Sequence, residues 1–370
     1  MRRIGKTILW AEYAKRRFGI GLCLILCGVG LAALLLSGCG PKSRPKTTTD
    51  LKYEERENRE RLKVVTTVFP YYDFVRQIAG DRVELTLVVP AGMDSHSFEP
   101  TPTDMRTIQE ADVLICNGGE MEHWLAQALE AVDIGSMTIV RMMDYVDVVE
   151  EEWVEGMERE EHDHGDHGEE ERVYEPHGKY EEINTDQDGD HKGMEYDEHI
   201  WTSPRNAMIL VQAIEEVLKE HDPKGMAEYQ ENAAAYLQEL EEIDNKMRAV
   251  VKEQKRNQII IGDKFPFRYL AEDYGWDYKA AFTGCSTDTE PSARTIAYLI
   301  DKVKEEKIPV IYYLELSSPR VAEIIGEETG AKPLLLHSCH NVTRREFESG
   351  VTYVKLMEQN VENLRKGLVE

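Results

Sequence analysis

At 370 residues, with 41% hydrophobic and 31% charged residues, the chain can bury a full core and has length for two domains. Its formal net charge of −26 argues against nucleic acid or an anionic membrane surface as partner. The same charge suits a collector of cations, although part of it serves solubility.

The first 39 residues have the layout of a secretory signal. A long basic head, Met1–Arg17, precedes the apolar stretch Phe18–Leu36. That stretch ends in Leu36-Ser37-Gly38-Cys39, which resembles a bacterial lipobox, with small residues before a cysteine that would carry a lipid. An uncleaved transmembrane anchor is the competing reading, because the apolar run is nearly long enough to span a bilayer. Either way the body lies outside the cytoplasmic membrane. Residues 40–61 are polar, lack apolar periodicity and read as a flexible tether.

From Leu62 the pattern becomes globular. Lys63–Phe69 is β-rich, Tyr72–Ala79 is amphipathic, and Gly80-Asp81 turns the chain into an apolar strand, Val83–Val89. His96 follows in the loop past that strand's carboxyl end, where open α/β sheets place ligands. Pro100 and Pro102 punctuate the loop. A helix is predicted over Thr103–Glu110, with Thr103 or Asp104 as its N-cap. Asp112–Cys116 and Met137–Val140 are predicted strands around a helix, Glu120–Ala131. Alternation of this kind implies a parallel sheet covered by helices.

Between about residues 150 and 198 the periodicity collapses. This insertion is acidic and carries His162, His164, His167, His177 and His191. It reads as a solvated loop whose imidazoles bind metal weakly at several places. Asp186, Asp188 and Asp190 mimic the start of a calcium loop, but the Gly and the final Glu fall at the wrong spacing.

Beyond it runs Asp197-Glu198-His199-Ile200-Trp201-Thr202-Ser203-Pro204. Ser203 caps, and Pro204 opens, a helix over Arg205–Glu220, so His199 sits on a short stiff turn. Lys224–Asn257 reads as one long helix with apolar residues Ala227, Ala234, Leu237, Leu240, Ile243, Met247 and Val250. The remainder alternates again. Strands are expected at Gln258–Ile261, Tyr278–Phe282, Val310–Glu315 and Pro333–Leu336. Helices are expected at Phe267–Tyr274, Ser292–Glu305, Pro319–Thr329 and Thr352–Leu368.

The segment Gly92, Asp94, His96, Phe98, Glu99, Pro100, Thr101, Pro102, Asp104, followed by Ala111-Asp112 and Asn117-Gly118, resembles the solute-binding proteins of zinc and manganese ABC transporters. The resemblance runs from about Val64 to the C-terminus. The stretch around His199 is similar to that family's Asp-Pro-His-x-Trp-x-Ser-Pro motif, with Glu198 in place of proline. The resemblance implies an α/β fold of two lobes, each a small parallel sheet flanked by helices, joined by a spine helix, with a metal ion in the cleft between them. The divisions would be 62–222 for the first lobe with its insertion, 223–257 for the spine and 258–370 for the second lobe. It implies an extracytoplasmic, lipid-anchored monomer that hands Zn²⁺ to an ABC permease and its ATPase.

The resemblance also implies three histidines and one carboxylate as ligands. His96 and His199 supply the first lobe. In the second lobe relatives place a His-Asp-Ala-Phe-x-Tyr motif, where this chain reads Gly262-Asp263-Lys264-Phe265-Pro266-Phe267-Arg268-Tyr269. Where they place an Asp after the last strand, it has His337. The expected set is therefore His96, His199, Asp263 and His337, with Glu290, Glu315 or His340 as alternatives for the last two. His123 has a spacing that lets it approach the site, and His221 would cap its helix. An imidazole-rich set suits zinc better than manganese. Among the cysteines, Cys116 reads as a buried thiol. Cys285 and Cys339 are candidates to pair as a disulfide, or for one of them to ligate metal. An Mn²⁺ receptor and a surface adhesin remain alternatives. A zinc hydrolase is disfavoured, since no His-Glu-x-x-His helix or nucleophile elbow is present.

Overall fold

A computed structural model describes residues 61–157, 196–286 and 290–370. The signal, Cys39, residues 40–60 of the tether and all five histidines of the acidic insertion lie outside the described residues. Among the described residues no helix is long and apolar enough to cross a membrane.

The N-terminal half is built on four parallel strands. They are β1 (Leu62–Thr66), β2 (Val83–Leu87), β3 (Val113–Cys116) and β4 (Thr138–Arg141), in the order β2-β1-β3-β4. Their carboxyl ends therefore lie on one edge, and the loops that leave that edge carry the histidines. Helices α1 (Phe69–Ala79), α2 (Pro102–Gln109) and α3 (His123–Ala131) make the crossovers. The N-cap of α2 is Thr101, two or three residues earlier than expected. Pro102 occupies the first turn, and Thr101 and Asp104 satisfy each other's backbone N–H groups in a reciprocal capping box.

Two long helices follow. α4 (Pro204–His221) starts on Ser203, whose hydroxyl accepts from the N–H groups of Arg205 and Asn206. α5 (Met226–Glu253) is the spine. Its buried stripe is Tyr229, Ala233, Tyr236, Leu240, Ile243, Met247 and Val250, at alternating spacings of four and three. In its first half this differs from the expected Ala227, Ala234 and Leu237. The tyrosines bury their rings because their hydroxyls find acceptors: Tyr229 donates to Asp222 at 2.8 Å and Tyr236 to Asp73 at 3.2 Å. Asp73 is itself fully buried on α1 and also accepts the backbone N–H of Tyr353 at 2.6 Å. One carboxylate thus joins the first crossover helix, the spine and the last helix.

The C-terminal half uses shorter strands. β5 (Gln258–Ile260) pairs with β7 (Asp277–Lys279), β6 (Lys264–Phe265) with β8 (Phe282–Thr283), and β9 (Val310–Tyr313) with β10 (Lys332–Leu335), all parallel. A parallel bridge between Ile261 and Tyr312 links the first pair to the third. The single strand expected over Tyr278–Phe282 is split into β7 and β8. The intervening Ala281 donates its N–H back to the Asp263 carbonyl at 3.1 Å. Helices α6 (Arg268–Tyr274), α7 (Ala293–Glu306), α8 (Arg320–Thr329), the short α9 (Arg344–Glu348) and α10 (Tyr353–Leu368) complete the half. Chain direction again puts the loops after β5, β9 and β10 on one side.

Candidate metal centre

A cavity of about 410 Å³ opens where the loops of the two halves meet. Its wall includes His96, His199 and His340, the carboxylates Asp94, Asp263, Glu290 and Glu315, and Lys264. Each histidine is delivered by a different local device.

His96 rides on a 3₁₀ turn, Ser95–Ser97, that leaves the loop after β2. Asp94 caps that turn by accepting the His96 N–H at 2.9 Å. Burial holds the imidazole neutral and lowers its pKa from 6.5 to about 4. His199 is buried just before α4. Its backbone N–H donates to Asp197 Oδ1 at 2.8 Å, and its Nδ1 lies 3.2 Å from the same oxygen. Burial opposes a charge on this ring, but the Asp197 carboxylate outweighs it and the pKa is raised. A carboxylate on Nδ1 leaves Nε2 as the free donor of this ring. Gly284 comes so close that an added Cβ would stand 3.2 Å from His199 Nδ1 and 2.9 Å from Asp197. Glycine there lets the loop after β8 close over the pair.

Glu198 is where this chain departs from the proline of the resembled motif. Its carboxylate accepts the N–H groups of Glu120 and Met121 and so caps the turn ahead of α3. A Cβ on Gly119 would lie 2.2 Å from the Glu198 carboxyl carbon, so the loop after β3 packs directly on it. Burial lifts the Glu198 pKa to about 7. The substitution buys a second tie for the His199 turn.

The last loop differs from the sequence expectation. His337 does not line the cavity. It is 1% exposed, locked inside the C-terminal half, with its backbone N–H and carbonyl both bonded to the Asn360 amide at 2.8 and 2.7 Å. Its Nδ1 accepts the Cys339 N–H at 2.9 Å. Cys339 has a left-handed backbone, φ 63°, which swings the following residue across the gap. That residue is His340. Its carbonyl accepts the Phe69 N–H at 3.2 Å, its Nε2 lies 2.7 Å from Ser95 Oγ, and its ring stacks on Trp201 with centroids 5.8 Å apart. Burial lowers its pKa to about 3. Trp201 in turn donates from Nε1 to the Ser338 carbonyl at 2.8 Å.

Asp263 lines the cavity from the loop between β5 and β6, and its Oδ1 accepts the Lys264 N–H at 2.8 Å. Burial raises its pKa. Glu315 is committed elsewhere, accepting from the Ser338 N–H and hydroxyl. His123 begins α3 on the exposed surface and is not part of the wall. The expected disulfide is not formed. Cys285 and Cys339 are free thiols, Cys339 fully buried with its Sγ toward the His337 carbonyl and Cys285 in the loop held by Glu151. Cys116 is a buried free thiol.

The ring centroids of His340 and His96 are 6.4 Å apart, and those of His340 and His199 are 6.2 Å apart. Zinc–nitrogen bonds of about 2.0–2.1 Å on a tetrahedral ion put two imidazole centres roughly 5 Å apart. Accordingly, among the described residues no three His, Cys, Asp or Glu side chains already stand at ligating distance. The observed separations exceed that spacing by about 1 Å per pair. Neutral imidazoles with one carboxylate are a donor set that fits zinc.

Residues 64–367 match the family described as ZnuA, zinc-uptake complex component A, periplasmic. The high-affinity zinc uptake system protein ZnuA of Bacillus subtilis is 31% identical over 91% of this chain and 94% of its own length. The zinc-binding lipoprotein AdcA of Streptococcus pneumoniae is 32% identical over 83% of this chain, which spans only 56% of that longer protein. The crystal structure of the Zn(II)-bound ZnuA-like domain of the pneumococcal AdcA superposes with a TM-score of 0.64 at 27% identity, covering 84% of this chain and all of that domain. The metal-dependent lipoprotein YcdH of Bacillus subtilis gives the same score at 28% identity over 84% of this chain. The chain belongs to the ZnuA family of zinc-uptake binding components.

Proposed function

We propose that this protein captures Zn²⁺ outside the cytoplasmic membrane and delivers it to the permease of an ATP-driven uptake system. The observation that carries the reading is the meeting of His96, His199 and His340, from loops of both halves, on one cavity wall with Asp263. These four are the proposed ligands, with His340, one of the alternatives, in the role that the resemblance gave to His337. Three imidazoles and a carboxylate fill a tetrahedral shell and leave no position for a reacting water, which is what a carrier needs and a hydrolase does not. Imidazole donors favour zinc over manganese. The support from relatives is their naming as zinc-uptake and zinc-binding proteins.

Isothermal titration with a competing chelator separates the two C-terminal histidines. His340→Ala should lose more zinc affinity than the roughly 10–100-fold typical of changes outside the ligand shell. His337→Ala should bind zinc within about tenfold of the parent, while its chemical denaturation midpoint falls, because a buried ring and its Nδ1 acceptor are removed. The reverse ranking would reject the proposed shell.

The pH dependence follows from the three shifts. A proton competes with zinc at His199 from above pH 6.5 downward, because Asp197 raises that ring. His96 and His340 take protons only near pH 4 and 3. The logarithm of zinc affinity should therefore fall by about one unit per pH unit between roughly pH 5 and 6. Three ordinary imidazoles would approach a slope of about three below their pKa values. A slope near three in this window would contradict the assigned environments.

The membrane tether is proposed to be a lipid on Cys39. Radiolabelled palmitate should enter the wild-type protein in a bacterial host and not Cys39→Ser, which should move to the soluble fraction; equal labelling of both would remove Cys39 from this role.

A further inference from the structure

The 3₁₀ turn that presents His96 also holds His340. Ser95, the residue before His96, is fully buried, and its hydroxyl lies 2.7 Å from His340 Nε2. No other side-chain hydrogen bond is seen for this hydroxyl among the described residues. The contact joins the loop after β2 in the N-terminal half to the loop after β10 in the C-terminal half. The rest of the His340 environment is equally restrictive. Its N–H donates to Ser338 Oγ at 3.2 Å, its carbonyl is fixed by Phe69, and Trp201 lies against its face at an interplanar angle of 25°. Stacking sets the plane of the ring, and the Ser95 bond sets its rotation within that plane. Nε2 is turned to a buried hydroxyl, and Nδ1 is the other nitrogen of a ring that lines the cavity.

We propose that Ser95 is a positioning residue for the zinc site: it accepts the Nε2–H of His340, so that His340 ligates through Nδ1. The inference rests on the assignment of His340 as a ligand. It goes further by naming the donor atom and the residue that selects it. The arrangement has a physical logic. A neutral imidazole offers one bare nitrogen, and whichever nitrogen keeps its proton is chosen by the hydrogen bond made there. A serine hydroxyl donates and accepts, so it tolerates either tautomer before the ion arrives. Once the ion takes Nδ1, the hydroxyl accepts from Nε2–H, and no buried polar atom is stranded. The bond also ties two ligand-bearing loops together, so that placing His96 and placing His340 become one event.

The test uses the protein labelled with ¹⁵N-histidine and loaded with ¹¹³Cd²⁺ as a spin-active probe. One-bond cadmium–nitrogen coupling should appear on Nδ1 of His340, identified by its disappearance in His340→Gln. Ser95→Ala should lower zinc affinity by roughly 10–100-fold, with Ser95→Thr restoring it to within a few-fold. Coupling on Nε2 of His340 would overturn the proposal. So would Ser95→Ala binding zinc as the parent does. If cadmium couples to His96 and His199 but to neither nitrogen of His340, the inference fails while the capture site survives in reduced form. If the wild type binds neither metal, the functional reading itself fails. A far-ultraviolet melt of metal-free Ser95→Ala guards against simple misfolding. Should that variant melt early, the coupling pattern in the wild type still decides the donor atom.

Discussion

Everything at the cleft depends on a hydrogen-bonded seam between two loops, residues 90–98 and 336–342. Asn341 donates from one amide nitrogen to the Pro90 and Met93 carbonyls at 2.9 and 2.8 Å. Phe69 donates to the His340 carbonyl, and Ser95 meets the His340 ring. None of these contacts involves an ion. Each buried bond contributes only about 1 kcal/mol net, but breaking any of them strands a buried polar group. The seam therefore fixes the separation of His96 and His340, 244 positions apart in the chain. In the proposed site, loops already ordered by folding leave less to arrange when the ion binds.

Behind the seam lies a second layer that makes it rigid. Trp201 binds the Ser338 carbonyl, and the Tyr353 hydroxyl donates to the Trp201 carbonyl at 2.6 Å. Tyr269 donates to the Asp197 carbonyl at 2.6 Å, next to His199. Asp73 draws α1, α5 and α10 together from below. The spine helix thus supports the site through polar anchors embedded in an apolar stripe. Such anchors are costly to bury and specify one register of packing.

The electrostatics divide the labour among the three imidazoles. Two are kept neutral by burial, and one is held by a carboxylate that orients it. Four carboxylates and one ammonium, Lys264, share the wall. The excess of negative charge attracts a divalent cation, in keeping with a chain whose net charge is −26. Lys264 opposes it and tempers the field.

Much of this was legible in the residues. The strand-end loop of His96 and the motifs that the resemblance supplied pointed to His96 and His199, and the devices that position them are local: an Asx cap at Asp94 and a Ser203-Pro204 helix start. The second half was harder. The resemblance pointed to His337, where relatives carry an Asp, yet the hand of the chain at Cys339 decides which histidine crosses the gap, and a left-handed residue other than glycine leaves no mark in composition. Asn341 was the available clue, a side chain able to bond two carbonyls directly after the histidine. The spine stripe was misplaced in its first half for a related reason, since tyrosine buries readily once its hydroxyl has an acceptor distant in sequence. The central claim is that one ion is gripped jointly by the two halves through His96, His199 and His340. A crystal structure of the zinc-loaded protein, with anomalous data at the zinc edge, tests it most directly. The expected result is a single peak at about 2.0–2.2 Å from a nitrogen of each of these rings and from an Asp263 oxygen. Zinc seated on His337, or held by ligands from one half alone, would contradict it.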